Sequence, residues 1–204
     1  MHITLIGMSN IGKSHWAKKL AAEGGFERID CDGLVEQKLK AELSKAGHSG
    51  IEGMAKWLGQ PFDPQYPETS QIYTDRERAV MEDVIAKLGD KARPLVIDTT
   101  GSVIYTGDDI LERLRNLTKV VYFEASRDHV AHLFAKYATD PKPLIWNGAY
   151  APRAGEAAED ALKRCYPELL EGRARRYAKI AHVTIPFDDH KKAADIAVLL
   201  RPSA

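Results

Sequence analysis

Eight residues near the start of the chain, Gly7-Met8-Ser9-Asn10-Ile11-Gly12-Lys13-Ser14, constrain its fold more than any other stretch. They match G-x-x-x-x-G-K-[ST] at every fixed position. An apolar run, Ile3–Ile6, precedes them and an amphipathic segment opens at Lys13, so the context predicts strand, loop, helix. That context argues against a chance match in a glycine-containing turn. Gly7 and Gly12 permit backbone angles that strain any residue with a Cβ, so the loop can curl with its N–H groups inward. The following helix adds the partial positive charge of its N-terminus. The pattern therefore reads as a cradle for phosphates formed by Gly7, Met8, Ser9, Asn10, Ile11, Gly12, Lys13 and Ser14. Lys13 is expected on the β- and γ-phosphates of ATP, and the Ser14 hydroxyl on Mg²⁺. His15 and Trp16 read as packing residues of the first helical turn.

The remainder alternates apolar runs with segments of helical period, the βαβ signature of a mostly parallel sheet with helices on both faces. Strands are predicted at Glu27–Ile29, Leu95–Asp98, Val120–Phe123 and His182–Ile185. Helices are predicted at Gly33–Ala46, Thr69–Leu88, Asp108–Leu117, Ser126–Tyr137, Leu162–Ala181 and Lys191–Leu200. Pro167 marks a helix start or kink. Two stretches, Gly59–Ser70 with its three prolines and Ala138–Glu159, read as irregular walls of a substrate site.

At 204 residues the chain suits a single domain, 1–204. Its 29 basic and 29 acidic side chains cancel, so no net charge favours a nucleic-acid backbone or an anionic membrane. No stretch approaches the roughly 20 apolar residues that a membrane span needs. Cys31 and Cys165 form neither a metal spacing nor a disulfide framework. A cytoplasmic protein is expected, its partners a nucleotide and a small hydroxylated metabolite.

In open α/β sheets, ligands bind beyond the carboxyl ends of the strands. Asp30-Cys31-Asp32 follows one predicted strand and Asp98 ends another. Beside a phosphate loop, one carboxylate of the first pair suits a metal water and the other an acceptor hydroxyl. The competing reading is that Asp32 caps the next helix. Asp98 stands where a Walker B acid reaches the metal, or else caps a turn.

Together these pieces resemble the shikimate kinase branch of the nucleoside-monophosphate-kinase-like P-loop family. Asp30-Cys31-Asp32-Gly33-Leu34-Val35-Glu36 is similar to its D-x-D-x-x-I-E segment, and Val96-Ile97-Asp98-Thr99-Thr100-Gly101-Ser102-Val103 lies in register with V-L-A-T-G-G-G-A. Arg173-Ala174-Arg175-Arg176-Tyr177 resembles R-x-P-L-Y, and Lys142-Pro143-Leu144 the R-P-L of the lid. The resemblance implies a three-layer α/β/α fold with a five-stranded parallel sheet in order 2-3-1-4-5. It also implies a substrate-binding segment over about 33–76 and a lid over about 138–165. It places Asp30 near Mg²⁺, Asp32 on the acceptor, and Arg173 on an anionic substrate or phosphate.

Several positions depart from the family. Its F-R-x-x-E arginine falls on Thr74, with Arg76 or Arg78 as the nearest substitutes. Its three glycines are here Thr100, Gly101 and Ser102, its lid arginine is Lys142, and Asp98 replaces a small apolar residue. Lysine cannot reproduce the bidentate pairing of arginine.

The resulting expectation is an ATP-dependent kinase that phosphorylates a hydroxyl of a small metabolite. Catalysis falls to Lys13, Asp32 and Arg173, metal binding to Ser14 and Asp30, and nucleotide binding to the loop with Lys142. The substrate would meet Asp32, Arg76, Asp98, Thr100, Gly101 and Arg173. The alternative is a P-loop NTPase or nucleotide-gated binding protein without a small acceptor.

Overall fold

Strand β1, His2–Gly7, lies in the middle of a five-stranded sheet, and its interior residues Leu5 and Ile6 are fully buried. In this computed structural model, which describes residues 1–89, 93–139 and 142–192, the sheet order is β2-β3-β1-β4-β5. The partners are β2 (Glu27–Asp30), β3 (Leu95–Asp98), β4 (Thr118–Phe123) and β5 (Val183–Ile185). Every pairing is parallel. The inner strands β3 and β4 read as nearly unbroken apolar runs because helices cover both faces of such a sheet. The register sets Leu5 beside Asp98 on one side and Val121 on the other, and it aligns Asp30 with Asp98. Both acids thereby end their strands on the edge from which the phosphate loop springs.

Helix α1, Lys13–Glu23, packs on β1, β2 and β3. The helix expected over Gly33–Ala46 is instead two, α2 (Cys31–Lys38) and α3 (Lys40–Lys45), parted at Leu39 with ψ near 3°. A further helix, α4 (Gly50–Leu58), covers a stretch for which the sequence patterns predict no helix or strand. The long helix α5 runs Tyr66–Leu88 and begins three residues before its expected start. Pro67 made that stretch look irregular, yet proline fits a first helical turn, where its missing N–H has no intrahelical partner.

After β3 come a 3₁₀ turn at Val103–Tyr105 and α6, Asp108–Leu117. Helix α7, Arg127–Thr139, opens at Ser126, whose hydroxyl accepts the His129 N–H at 3.2 Å, as a capping serine should. Helix α8, Ala158–Ile180, starts before the predicted Leu162 and continues through Pro167. The expected final helix Lys191–Leu200 corresponds in part to α9, Phe187–Lys192; the rest lies outside the described residues, as does Asp140 of the expected lid. No helix among the described residues is long and apolar enough to cross a membrane.

Candidate nucleotide and acceptor site

The phosphate loop owes its shape to three residues with positive φ: Gly7 at 142°, Asn10 at 63° and Gly12 at 114°. A Cβ on Gly7 would meet the Phe123 carbonyl oxygen at 2.7 Å, so only glycine lets β1 turn away from β4 there. Lys13 is buried, and its ammonium donates to the Gly7 and Met8 carbonyl oxygens at 2.9 Å each. Burial lowers the Lys13 pKa, opposed chiefly by the Asp32 and Asp98 carboxylates. Helix α1 has no side-chain cap and no acidic residue in its first turn, so its leading N–H groups and positive end are left for an anion.

Beyond the loop lies a cavity of about 180 Å³, lined by Ser9, Asn10, Gly12, Lys13, Ser14 and His15 on one side. Asp32, Ile51, Tyr73, Thr100, Gly101 and Ser102 form the other side, and Lys142 and Pro143 also border it. Most of the residues expected at the phosphates and at the acceptor thus meet in one space.

The three acids divide differently from expectation. Asp32 lines the cavity from the first turn of α2, inside the helix, so it is not the cap. Burial raises its pKa, and Lys13 is the main influence holding it down. The cap is Asp30, which accepts the Gly33 N–H at 3.3 Å and pairs with Arg28 at 3.2 Å. With those contacts Asp30 is not among the residues that line the cavity. Asp98 is 3% exposed and accepts from Arg28 Nη2 at 2.6 Å; it is not among the residues lining the cavity, but its charge acts on Lys13 and Asp32, which are. Arg28 escaped the sequence reading because it sits on an edge strand in an ordinary alternating pattern.

The arginines expected at the substrate are elsewhere. Arg76 bonds Glu42 at 2.7 Å on the surface. Arg78 bonds both oxygens of Asp109 and the Thr106 carbonyl. Thr74 turns its hydroxyl back to the Ser70 carbonyl at 2.8 Å, within its own helix. Arg173, fully buried on α8, donates to the Gly101 carbonyl at 3.2 Å and the Ile145 carbonyl at 2.7 Å, and lies over Tyr105. It therefore ties the lid loop to the turn after β3 from behind the cavity wall; it borders a smaller hollow beside Met8, Ser9 and Lys142.

One functional candidate was passed over. Glu77 is 1% exposed, and one of its oxygens accepts hydrogen bonds from Thr100 and from Ser102. Burial pushes its carboxyl up to about 7. The signal was present in the sequence, since Tyr73, Glu77, Val80 and Val84 follow helical spacing on one buried stripe.

A parallel sheet in this order, with a phosphate loop after its central strand, defines a P-loop α/β protein with the kinase-type fold. Residues 3–142 match the family model described as "AAA domain", and the chain belongs to that family. A shikimate kinase of Actinobacillus succinogenes is 26% identical over 189 residues, covering 92% of this chain and 86% of the relative. The solved shikimate kinase from Acinetobacter baumannii in complex with shikimate superposes with a TM-score of 0.58 at 24% identity, over 90% of this chain and 82% of that one. The shikimate kinase from Bacteroides thetaiotaomicron gives 0.58 at 18%, over 92% and 86%. The likeness to the shikimate kinase-like branch thus runs along nearly the whole chain.

Proposed function

We propose that this protein is an ATP-dependent kinase transferring the γ-phosphoryl group to a hydroxyl of a small metabolite. The observation that carries the reading is the shared cavity in which Lys13 and Ser14 face Asp32, Thr100 and Ser102. The donors fit a triphosphate: a curled loop, an uncapped helix N-terminus and a buried ammonium already surrounded by carbonyl oxygens. Lys13 would follow charge onto the transferring phosphoryl oxygens, and Lys142 would bring a second cation from the lid. Ser14 would hold Mg²⁺, which when bound neutralises charge on the β- and γ-phosphates.

Asp32, on the cavity lining, would orient the acceptor hydroxyl and receive its proton. Burial favours its neutral form and Lys13 favours its charged form, so its basicity depends on the ammonium next to it. Arg173 holds the lid loop and the Gly101 turn in place and acts through them. A reducing, cytoplasmic setting accords with two buried free cysteines, Cys31 and Cys165.

The test is coupled ADP release from ATP and Mg²⁺, with and without shikimate or a neutral polyol, in wild type and Lys13→Ala. Acceptor-dependent turnover that falls at least about 100-fold in the variant is expected. Slow turnover indifferent to every acceptor would favour the NTPase alternative.

A further inference from the structure

The far wall of the cavity has an unusual hydrogen-bonding polarity. Thr100 and Ser102 both line it, and both donate their single hydroxyl proton inward to the same Glu77 oxygen, Ser102 at 2.9 Å. A hydroxyl has one proton and two lone pairs, so what these side chains keep is acceptor capacity, part of which on Ser102 meets the Tyr73 hydroxyl. The Ser102 N–H, a possible donor, is also engaged, with Thr100 Oγ1 at 3.3 Å. The Glu77 oxygen accepts from both hydroxyls when the carboxyl is ionised, and still does when it is neutral with the proton on its other, unpartnered oxygen. Asp32 adds a carboxylate to the same space.

Counter-charge in the cavity comes from two lysines, both of which act on Asp32. Lys13 belongs to the loop and Lys142 to the lid, and no arginine lines the cavity among the described residues. Arg76 and Arg78 are bonded elsewhere, and Arg173, tied to two carbonyls with its Nε unpaired, borders the adjoining hollow and not this cavity. A carboxylate on the acceptor, which can only accept hydrogen bonds, would face lone pairs and a second carboxylate. A hydroxyl would donate to one of them and an ammonium to as many as three. The other Glu77 oxygen is buried without a hydrogen-bond partner, a further uncompensated acceptor behind the same wall.

We infer that the acceptor is a polyol without a carboxylate, neutral or amine-bearing, selected by the Thr100 and Ser102 hydroxyls whose direction Glu77 fixes. The inference rests on the kinase reading and narrows its substrate class. Glu77 is a positioning residue: it acts through two hydroxyls that meet the acceptor.

The experiment is isothermal titration of the whole protein, saturated with Mg²⁺ and a non-hydrolysable ATP analogue. The probes are shikimate, the matching alcohol with –CH₂OH in place of the carboxylate, myo-inositol and glucosamine. At least one carboxylate-free probe should bind tenfold or more tightly than shikimate. In Glu77→Gln the amide can turn its NH₂ toward Thr100 and Ser102, releasing their protons toward the cavity. The preference for the alcohol over shikimate should then shrink at least tenfold, and turnover of the preferred polyol should suffer in KM rather than kcat. Ser102→Ala, which removes one of the two hydroxyls without touching Glu77, should also shrink it if Glu77→Gln does not fold. Equal or tighter shikimate binding, binding of none of the four probes, or a preference unmoved in the folded variants would overturn the inference. If wild type fails to bind the analogue itself, the kinase reading falls first and takes this one with it; bound analogue with the wrong acceptor ranking defeats this one alone.

Discussion

Arg28 directs two nitrogens at one oxygen of Asp98, Nε at 3.1 Å and Nη2 at 2.6 Å, across the parallel pairing of β2 and β3. Asp98 ends a buried strand as a metal-reaching acid would, yet its charge is met by a neighbouring strand. Desolvating a carboxylate this deeply is costly unless it is paired. Removing one partner of a buried pair typically costs about 3–5 kcal/mol, and Arg28, 21% exposed, still reaches water. We expect Arg28→Met to destabilise the fold by about 2 kcal/mol after allowing for that screening, measured by urea unfolding. Arg28→Met with Asp98→Asn should recover part of the loss. Unchanged stability in Arg28→Met would mean that Asp98 does not depend on this pair.

Gly101 is the contact between the turn after β3 and the phosphate loop. A Cβ there would lie 2.9 Å from Ser9 Oγ, 3.2 Å from the Ser9 backbone nitrogen and 3.3 Å from Arg173 Nη1. The serine hydroxyl can rotate away, but the backbone nitrogen and the pinned guanidinium cannot. Gly101→Ala should therefore displace the loop and weaken ATP binding about tenfold, equivalent to about 1.4 kcal/mol. Nucleotide affinity measured by fluorescence titration decides it; affinity equal to wild type would show that the loop yields without cost.

Glu77 gives the stability a pH dependence of definite sign. Its carboxyl is raised from 4.5 to about 7, mainly by burial, so the folded protein holds this proton more tightly than the unfolded chain. The contribution is fully present below about pH 4.5 and is lost as pH rises through about 7. The span corresponds to on the order of 3 kcal/mol. The difference in unfolding free energy between wild type and Glu77→Gln, followed from pH 4.5 to 8, should change by that order in favour of the variant at high pH. A difference flat with pH would mean that Glu77 titrates normally.

The phosphate loop, the sheet order and the strand ends were legible because each rests on local rules. Glycine at positive φ fixes Gly7 and Gly12, and unbroken apolar runs fix Leu95–Asp98 and its neighbours. Asp32, Thr100, Gly101 and Lys142 all line the cavity. What failed depended on partners far along the chain. Asp30 and Asp98 look alike in sequence as strand-end acids, and only the structure shows that both pair with Arg28. Arg76 seemed a substitute for the missing helix arginine, but helical phase carries it to Glu42. Glu77 was visible as an acid on an apolar stripe, yet its meaning needed Thr100 and Ser102, which approach from another loop. The start of α5 was missed because proline breaks helices in general but is accepted in the first turn.

Arg173 offers a choice between a catalytic and an architectural role. It donates to the carbonyls of Gly101 and Ile145, the Tyr177 hydroxyl bonds the same Gly101 oxygen, and Tyr105 lies against the guanidinium. A lysine has one nitrogen and cannot span two carbonyls as the planar fork does. Each charged hydrogen bond is worth about 1.5–3 kcal/mol net, so Arg173→Lys should cost about 2–3 kcal/mol of unfolding free energy. Because the lid loop and the Gly101 turn would loosen together, KM for nucleotide and acceptor should both rise while kcat falls less. Thermal and urea unfolding beside steady-state kinetics separate the cases. A variant as stable as wild type whose kcat alone collapses would place Arg173 on the transferring phosphoryl group, and would require it to leave both carbonyls during turnover.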